Sequence, residues 1–446
     1  MANDDLATDL AAVLTERTGA PTTVEGLRRL SGGASRETWA FTAVSPDGRR
    51  DLILQRTRPG GSAGPASMEA EDALLAAAAA AGVPVPPTVV ASADAGPLGP
   101  GRVTVAVPGE ALGPRLVRAE RSAEGRRALA TQMGEALAAI HSIPPEDHPG
   151  LERRDVLDVA RSGLDLLGVA RPAFELGLRW LDENRPPATP DTVVHGDFRV
   201  GNLLVDGDDL TAVLDWEISH RGDPLEDLGW LCVRAWRFGG DHEVGGLADL
   251  DDLLAAYSRA RGVDVDPAHV RWWTAAGTLS WGLMCAVQAH RHLDGHVRSV
   301  ELATIGRRVV ENEYDLLDLI GIGPAPAPSP EPTGPAEPPP PPDRHGRPTA
   351  GELLDAVRSH LAEEIAPLLE GAPAFSLRVV DRALATVQRE VARAGVVPAV
   401  ADEAALAAAL RAGEVTPDDD LRAAVRAAVV ERLRVANPKW LLPPDA

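Results

Sequence analysis

The chain has 446 residues, and its 44 Lys and Arg against 66 Asp and Glu give a formal net charge of −22 at pH 7. This acidic excess argues against a nucleic acid polymer as the main partner, because the protein would repel its phosphates. Hydrophobic residues make up 44%, too many for a disordered chain, and the length suits two or three domains. Two cysteines are too few for a disulfide framework.

The sequence carries no sign of a targeting or membrane segment. The N-terminal twenty residues are amphipathic and acidic, whereas a secretory signal begins with a basic region. The longest apolar runs, such as residues 73–83, are shorter than the ~20 residues that cross a bilayer. We therefore expect a soluble cytoplasmic protein without membrane association.

The first hundred residues favour a sheet with two helices. A Gly-rich turn at residues 31–35 joins the first two predicted strands, and a Ser-Pro-Asp-Gly turn at residues 45–48 follows the second. Gly82 and Pro84 end the second helix. The predicted helices are 4–18 and 67–81, and the predicted strands are 24–30, 37–44, 51–55, 88–92 and 102–107.

From residue 119 to residue 320 the pattern is mainly helical. Apolar residues spaced by three and four positions predict a buried helix face within 119–141. One β-rich segment, 193–217, interrupts the helices. In it a short strand leads to a polar loop from His195 to Asn202, and a hairpin then ends at Asp215.

The polar residues of this segment are the candidate catalytic residues. The hairpin brings Asn202 and Asp215 together, and an amide oxygen with a carboxylate suits Mg²⁺, which binds few protein oxygens plus substrate phosphates. Asp197 precedes Asn202 by five residues, the spacing of a kinase catalytic loop in which the Asp accepts a hydroxyl proton. His195 completes the H-x-D motif, and Arg199 could steady a transferring phosphoryl group.

Each of these residues has a structural alternative when it is taken alone. His-Gly-Asp is commonly a turn, and Asp197 could be a capping or turn residue. The combination with a Gly-rich turn and a helix upstream, in the order found in kinases, favours the catalytic interpretation.

The motifs HGDFRVGN, VLDWE and GDPLEDLGW resemble the aminoglycoside phosphotransferase (choline kinase-like) family. Within it they resemble the branch whose relatives are fused to, or encoded near, acyl-CoA dehydrogenases. The resemblance covers roughly residues 27–319 and implies an α+β, bilobal protein-kinase-like fold with a small β-rich N-lobe and a helical C-lobe. It implies that Asp197 is the catalytic base, that Asn202 and Asp215 hold Mg²⁺, and that ATP, or alternatively GTP, is the phosphoryl donor.

The resemblance also implies nucleotide contacts in the N-lobe. Backbone N–H groups of the Gly-rich turn would cover the phosphates, Glu71 matches the family's salt-bridging glutamate, and a hinge near Pro108 would hold adenine. The expected nucleotide-binding residues of the turn, the helix and the hinge are Gly32, Gly33, Ala34, Ser35, Glu71, Val105 and Val107.

The third strand departs from the family pattern. The family's phosphate-gripping Lys or Arg aligns with Gln55, and Arg56 follows one residue later, on the opposite face unless a bulge rotates it. Gln55 supplies no charge, so either Arg56 or Arg58 replaces the lysine or nucleotide affinity is reduced. The alternative to an active kinase is therefore a weak or inactive nucleotide- or acyl-CoA-binding protein that acts with a partner.

A small-molecule hydroxyl is the expected phosphoryl acceptor. Gly196 replaces the Arg of H-R-D, and the seven residues between Asp215 and Asp223 leave no room for an activation segment. Asp227 and its neighbours more plausibly anchor the catalytic loop. An apolar, partly basic pocket would suit a hydroxyacyl-CoA, although tryptophans at helical spacing are commonly core residues. The pocket candidates are Trp230, Arg234, Trp236, Arg237, Trp272, Trp273, Trp281, His290, Arg291 and His292.

Eleven prolines among the 19 residues from Pro324 to Pro342 predict an extended linker. The expected domains are an N-lobe (1–109), a C-lobe (110–322), the linker (323–348) and a helical region (349–446). Thr349 and Glu352 predict a capping box at the start of that last region. It resembles an uncharacterised helical domain associated with these kinase-like proteins, and we expect it either to bind a protein partner or to dock onto the lobes.

Overall fold

The computed structural model describes residues 3–30, 36–57, 67–323 and 347–442. The predictions for Gly32, Gly33, Ala34, Ser35 and Arg58, and for nearly all of the proline-rich linker, lie outside the described residues. Within the described ranges, no helix is both long and apolar enough to span a membrane.

The strands and helices follow the expected order along the chain. The strands are β1 (Thr23–Arg29), β2 (Arg36–Ser45), β3 (Gly48–Thr57), β4 (Thr88–Val90), β5 (Gly101–Val105), β6 (Thr192–Val194), β7 (Leu203–Asp206), β8 (Asp209–Val213) and β9 (His220–Gly222). The helices are α1 (Asn3–Thr18), α2 (Met68–Ala80), α3 (Gly113–Arg118), α4 (Ala123–Ile140), α5 (Val156–Leu167), α6 (Pro172–Glu183), α7 (Leu225–Leu231), α8 (Leu250–Arg261), α9 (Pro267–Leu293), α10 (Val300–Gly306), α11 (Val309–Leu319), α12 (Ala350–His360), α13 (Gly371–Ala392), α14 (Glu403–Ala412) and α15 (Asp419–Ala436).

The first five strands form one antiparallel sheet in the order β1-β2-β3-β5-β4. The pairing of β2 with β3 runs without a register shift from Arg36↔Thr57 to Ser45↔Gly48. Because side chains alternate along a strand, Leu52 and Leu54 occupy one face, where they share a buried core with α1. Arg36 and Gln55 occupy the other face.

Contacts divide the chain into two units, of which the first comprises residues 1–154 and 186–274. This unit holds the sheet and the β7–β8 hairpin. The hairpin is attached to α4 through a hydrogen bond from Leu210 N to Gln132 Oε1 (2.9 Å), and to the segment after β5 through paired backbone bonds between Glu110 and Val205. These bonds position the strand end from which Asp215 follows.

The second unit comprises residues 155–185 and 275–446. Its hydrophobic core combines residues from α6 and α11 with residues from α14 and α15, namely Ala173, Leu176, Val310, Tyr314, Leu317, Leu410, Val425, Val429 and Leu433. The helical region after the proline-rich linker therefore packs on helices that precede the linker, as in the docking alternative left open by the sequence.

The start of α12 confirms the predicted capping box. Thr349 Oγ1 accepts a hydrogen bond from Glu352 N (3.3 Å), and Thr349 N donates to Glu352 Oε2 (2.6 Å). Two of the otherwise unpaired N–H groups of the helix terminus are thereby satisfied.

Candidate active site

The carboxylate of Asp197 lies at the centre of the polar loop between β6 and β7. Its Oδ1 accepts hydrogen bonds from Arg199 Nε (2.7 Å) and from Trp230 Nε1 (2.9 Å), and its Oδ2 accepts one from Asn202 Nδ2 (2.5 Å). The structure thus brings together Asp197, Arg199 and Asn202 as the sequence predicted, and it adds Trp230 of α7. Three donors hold this carboxylate in one orientation.

Asp227 of α7 anchors the start of the catalytic loop, as the sequence predicted. Its fully buried carboxylate accepts hydrogen bonds from the backbone N–H groups of His195 (2.8 Å) and Gly196 (2.9 Å), and it lies 3.1 Å from His141 Nε2. Burial alone would raise the pKa of Asp227, but the hydrogen bonds and the neighbouring imidazoles hold it below its usual range. The backbone of the loop is thus fixed by a buried charge.

His195 braces the loop and does not reach a substrate. Its Nδ1 accepts a hydrogen bond from Asp197 N (3.1 Å), and its Nε2 donates to Leu214 O (3.1 Å). Both ring nitrogens are therefore engaged, and complete burial lowers the pKa of the imidazole. The sequence predicted His195 as a catalytic residue. The structure corrects this to a positioning role, because a fully buried ring cannot contact an acceptor.

Asp215 follows β8 in the left-handed backbone region, with φ of 66°, which Asp tolerates better than most residues. A hydrogen bond from Leu214 N to Asn202 O (2.8 Å) joins its strand end to the catalytic loop. The Asp215 side chain is exposed to solvent. Partial desolvation by the surrounding protein, together with the negative charges of Glu217 and Asp197, raises the pKa of Asp215 to about 7. The carboxylates here carry more negative charge than their arginine neighbours offset.

This charge imbalance fits a divalent cation. Asn202 uses Nδ2 to donate to both the backbone and the side chain of Asp197, which leaves its amide oxygen for a metal. In the described part of the chain, no cluster of three or more His, Cys, Asp or Glu side chains could hold a metal. A site built on Asn202 and Asp215 alone suits Mg²⁺, which completes its shell with water and phosphate oxygens.

Glu71 of α2 pairs with two arginines of the sheet. Its carboxylate, with 2% of the side chain exposed, is bonded by both terminal nitrogens of Arg36, one at 2.8 Å, and by Arg102 Nη2. Arg102 also lies 3.1 Å from Asp72. The salt-bridge partners of Glu71 are therefore Arg36 on β2 and Arg102 on β5. The sequence did not single out either arginine.

Arg56 lies on the wrong face of β3 for a phosphate contact. Its guanidinium bonds Glu37 Oε2, with Nε at 3.2 Å and Nη2 at 3.1 Å. Because the β2–β3 pairing contains no bulge, strand alternation keeps Arg56 on the face of Leu54. The prediction that Arg56 binds the nucleotide is corrected for this reason. Gln55, half-buried, lies on the face that carries Arg36.

The predicted hinge connects the sheet to the β7–β8 hairpin. Val105 N donates to Pro87 O (2.9 Å), so it is unavailable to a nucleotide base. Val107 forms no hydrogen bond within the residues that the structure describes. Gly109 has φ of 140°, and a Cβ there would lie 2.9 Å from Thr211 Oγ1, so the close approach requires glycine.

Two of the predicted pocket tryptophans lie beside the catalytic loop. The Arg199 guanidinium stacks on Trp236 at 4.5 Å from the ring centroid, and the rings of Trp230 and Trp236 are 5.3 Å apart. Trp272 and Trp273 are buried, and a Cβ at Gly229 would clash with Trp273, so these two are core residues. The remaining aromatic and imidazole candidates, Trp281, His290 and His292, belong to the other structural unit.

Comparison with known proteins gives two family matches. The profile of a family described as "Phosphotransferase enzyme family" matches residues 26–273, more than half of the chain. A domain of unknown function, DUF6285, matches residues 367–440.

Similar curated proteins include the acyl-CoA dehydrogenase family member 10 of Mus musculus, 32% identical over 198 residues, which are 41% of this chain and 18% of that protein. The family member 11 of Homo sapiens is 32% identical over 21% of this chain and 13% of its own length. The homoserine kinase of Rhodopseudomonas palustris (strain BisA53) is 30% identical over 29% of this chain and 41% of its own length. The chain thus spans less than a fifth of the length of these two acyl-CoA dehydrogenase relatives.

Among solved structures, a protein of Ralstonia eutropha JMP134 assigned to the aminoglycoside phosphotransferases superposes with a TM-score of 0.54 at 20% sequence identity. The superposition covers 70% of this chain and 97% of that chain. This match confirms the kinase-like α+β fold predicted from the sequence. The matches together agree with the resemblance seen in the motifs, including its acyl-CoA dehydrogenase-associated branch.

Proposed function

Because the chain belongs to the phosphotransferase enzyme family, we propose that it transfers the γ-phosphoryl group of ATP, with Mg²⁺, to a hydroxyl of a small molecule. The observation that carries this proposal is the pair of carboxylates Asp197 and Asp215. The first is held by three hydrogen-bond donors, and the second is exposed to solvent with the negative charges of Asp197 and Glu217 near it. GTP is the alternative donor.

Asp197 would orient the acceptor hydroxyl and take its proton while the hydroxyl oxygen attacks the γ-phosphorus and the bond to the β–γ bridging oxygen breaks. Arg199, fixed by Asp197 and by stacking on Trp236, would place a positive charge near the transferring group. When bound, Mg²⁺ would neutralise phosphate oxygens, and Asn202 and Asp215 would hold it. Most of the rate enhancement would come from positioning and charge stabilisation.

For the acceptor we propose a hydroxyacyl-CoA. The buried rings of Trp230 and Trp236 make the surroundings of the catalytic carboxylate apolar, and the cation of Arg199 lies next to them. These surroundings suit an acyl chain better than a polycationic sugar, which requires a carboxylate-lined pocket. The names of the acyl-CoA dehydrogenase family relatives point in the same direction.

The test is ADP release from ATP and Mg²⁺ with a panel of acceptors, with the product identified by mass spectrometry. The panel contains a hydroxyacyl-CoA, the matching acyl-CoA without the hydroxyl, homoserine and an aminoglycoside. We expect turnover with the hydroxyacyl-CoA and none with its deoxy counterpart. Preference for homoserine or the aminoglycoside would overturn the acceptor. Absence of turnover, together with no thermal shift by ATP and Mg²⁺, would favour an inactive binding protein instead.

A further inference from the structure

Arg36 occupies the position from which a side chain of the sheet can reach both Glu71 and the segment after β8. We propose that Arg36, on β2, supplies to the nucleotide phosphates the positive charge that Gln55, on β3, lacks. The inference rests on the proposed function, since it requires a phosphorylated nucleotide as the donor.

The sheet register places Arg36 on the right face. In the cross-strand pairs Thr38 faces Gln55, and Gln55 faces Arg102. Arg36 lies two residues from Thr38, so strand alternation puts Arg36, Gln55 and Arg102 on one face. Neighbouring strands are about 4.8 Å apart, a distance that an arginine side chain easily covers. A cation on β2 can thus reach a phosphate group that lies in front of β3.

The two arginines on Glu71 differ in their second partners. Arg102 is held between Glu71 and Asp72, so its charge is matched by two acids of α2. Arg36 instead has its Nε 3.7 Å from Glu217 Oε2, two residues beyond Asp215. Arg36 is therefore the Glu71 partner directed toward the predicted metal and phosphate site.

The chemistry of a guanidinium allows Arg36 to bind Glu71 and a phosphate at the same time. Its two terminal nitrogens each donate once to Glu71, and a guanidinium has five N–H groups in a rigid fork. Since Nε faces Glu217, the second N–H group of each terminal nitrogen is left for phosphate oxygens. A lysine on β3 would hold the same two groups with one ammonium, so a relocated arginine can replace it.

A purely structural ion pair is the competing interpretation, and nucleotide affinity separates the two. Mg·ATP and adenosine affinities are measured for the wild type, R36Q, Q55K, R36Q/Q55K and R56Q. We expect R36Q to weaken Mg·ATP binding by about tenfold or more, as for loss of a charge-assisted contact, while adenosine affinity changes less than about twofold. Because Q55K returns a cation to the same face, the double variant should recover most of the ATP affinity. R56Q is the matched control, since Arg56 is equally buried and paired with a glutamate on the opposite face.

Equal loss of ATP and adenosine affinity in R36Q, unchanged ATP affinity in R36Q, or failure of Q55K to rescue it would each overturn the inference. If R36Q does not fold, the single variant Q55K still tests the inference. With Arg36 already supplying the charge, Q55K should not improve ATP affinity, whereas a gain of about tenfold would show that the phosphate position lacks a cation. A wild-type protein that binds no Mg·ATP would overturn the proposed function itself, and that result is distinguishable from an R36Q variant that binds as the wild type does.

Discussion

Both structural units contain carboxylates with fixed partners, but only the first unit also brings three carboxylates together at one site. In the helical unit, Glu313 is fully buried and bonds Arg432 at 2.9 Å, Glu311 accepts a hydrogen bond from Asn437 (2.8 Å), and Asp315 accepts one from Trp440 (3.0 Å). These acids join α11 to the C-terminal helices. Each has a partner with which it forms a fixed contact, and the contact holds helices together.

The catalytic loop and the β8 end in the other unit are different. There the carboxylates of Asp197 and Glu217 lie near Asp215, which is exposed to solvent, and their repulsion together with partial desolvation raises the pKa of Asp215 to about 7. Like charges that lie close together repel one another unless a cation offsets them. The comparison teaches that acids with fixed partners hold helices together, whereas Asp215, which has acidic neighbours, marks the proposed site for a metal and a phosphorylated ligand.

The largest effect should come from Asp197→Asn. An amide cannot accept the hydroxyl proton, so kcat should fall by about 10³-fold, while Mg·ATP affinity is retained. The measurement is ADP release at saturating ATP and acceptor, beside equilibrium nucleotide binding. Asp206→Asn, at the exposed tip of the β7–β8 hairpin that follows the loop, is the control and should leave kcat unchanged. An Asp197→Asn variant with more than about a tenth of wild-type turnover would contradict the assignment of the base.

Asp227→Asn tests the compensated acid within the catalytic unit. The change removes a buried charge that receives two backbone bonds, and it should lower the free energy of unfolding by about 3 kcal/mol at pH 7. Since the folded-state pKa of Asp227 is depressed, its contribution is present above the ordinary pKa of about 4 and lost as the pH falls below it. Urea unfolding of both proteins should thus give a difference that shrinks toward pH 3, and a constant difference would argue against the charge.

Arg432→Gln tests compensation in the helical unit. The change leaves the buried Glu313 without the guanidinium of Arg432 and should destabilise the protein by about 3 kcal/mol. The double variant Arg432→Gln, Glu313→Gln should recover most of this loss, which chemical denaturation can measure. As a matched control, Arg422→Gln breaks an ion pair with the exposed Asp419 and should cost less than about 0.5 kcal/mol. Equal losses in the two single variants would remove the distinction between buried and surface pairs.

Thr349→Ala should give the smallest effect. It removes the hydroxyl half of the capping box at α12, which typically costs about 1 kcal/mol. Urea unfolding measures the loss, and Ser at the same position, which keeps the hydroxyl, should restore the stability. A change that Ser does not restore would show that the methyl packing of Thr349 matters instead.

The sequence predicted the local features well, because spacing and alternation determine them. The Asp197–Asn202 loop, the capping box at Thr349 and the opposite face of Arg56 all follow from neighbours along one strand, turn or helix end. The partner of Glu71 did not follow, because Arg36 meets it only through the β2–β3 register and the packing of α2. His141 lies 86 residues from Asp227, and Trp440 lies 125 residues from Asp315. No local pattern indicates contacts at such separations.

The central claim is that Asp215, which lies near two other carboxylates, binds the Mg²⁺ of the nucleotide. The variant Asp215→Asn tests this claim most directly. The free energy of unfolding is measured for this variant and the wild type, each with EDTA and with Mg·ATP. Because Asp215 is exposed and water screens the repulsion from its neighbours, removing its charge should stabilise the metal-free protein by less than about 1 kcal/mol. It should also abolish the stabilisation by Mg·ATP seen in the wild type. A metal-free variant less stable than the wild type, or one that Mg·ATP still stabilises fully, would contradict the account.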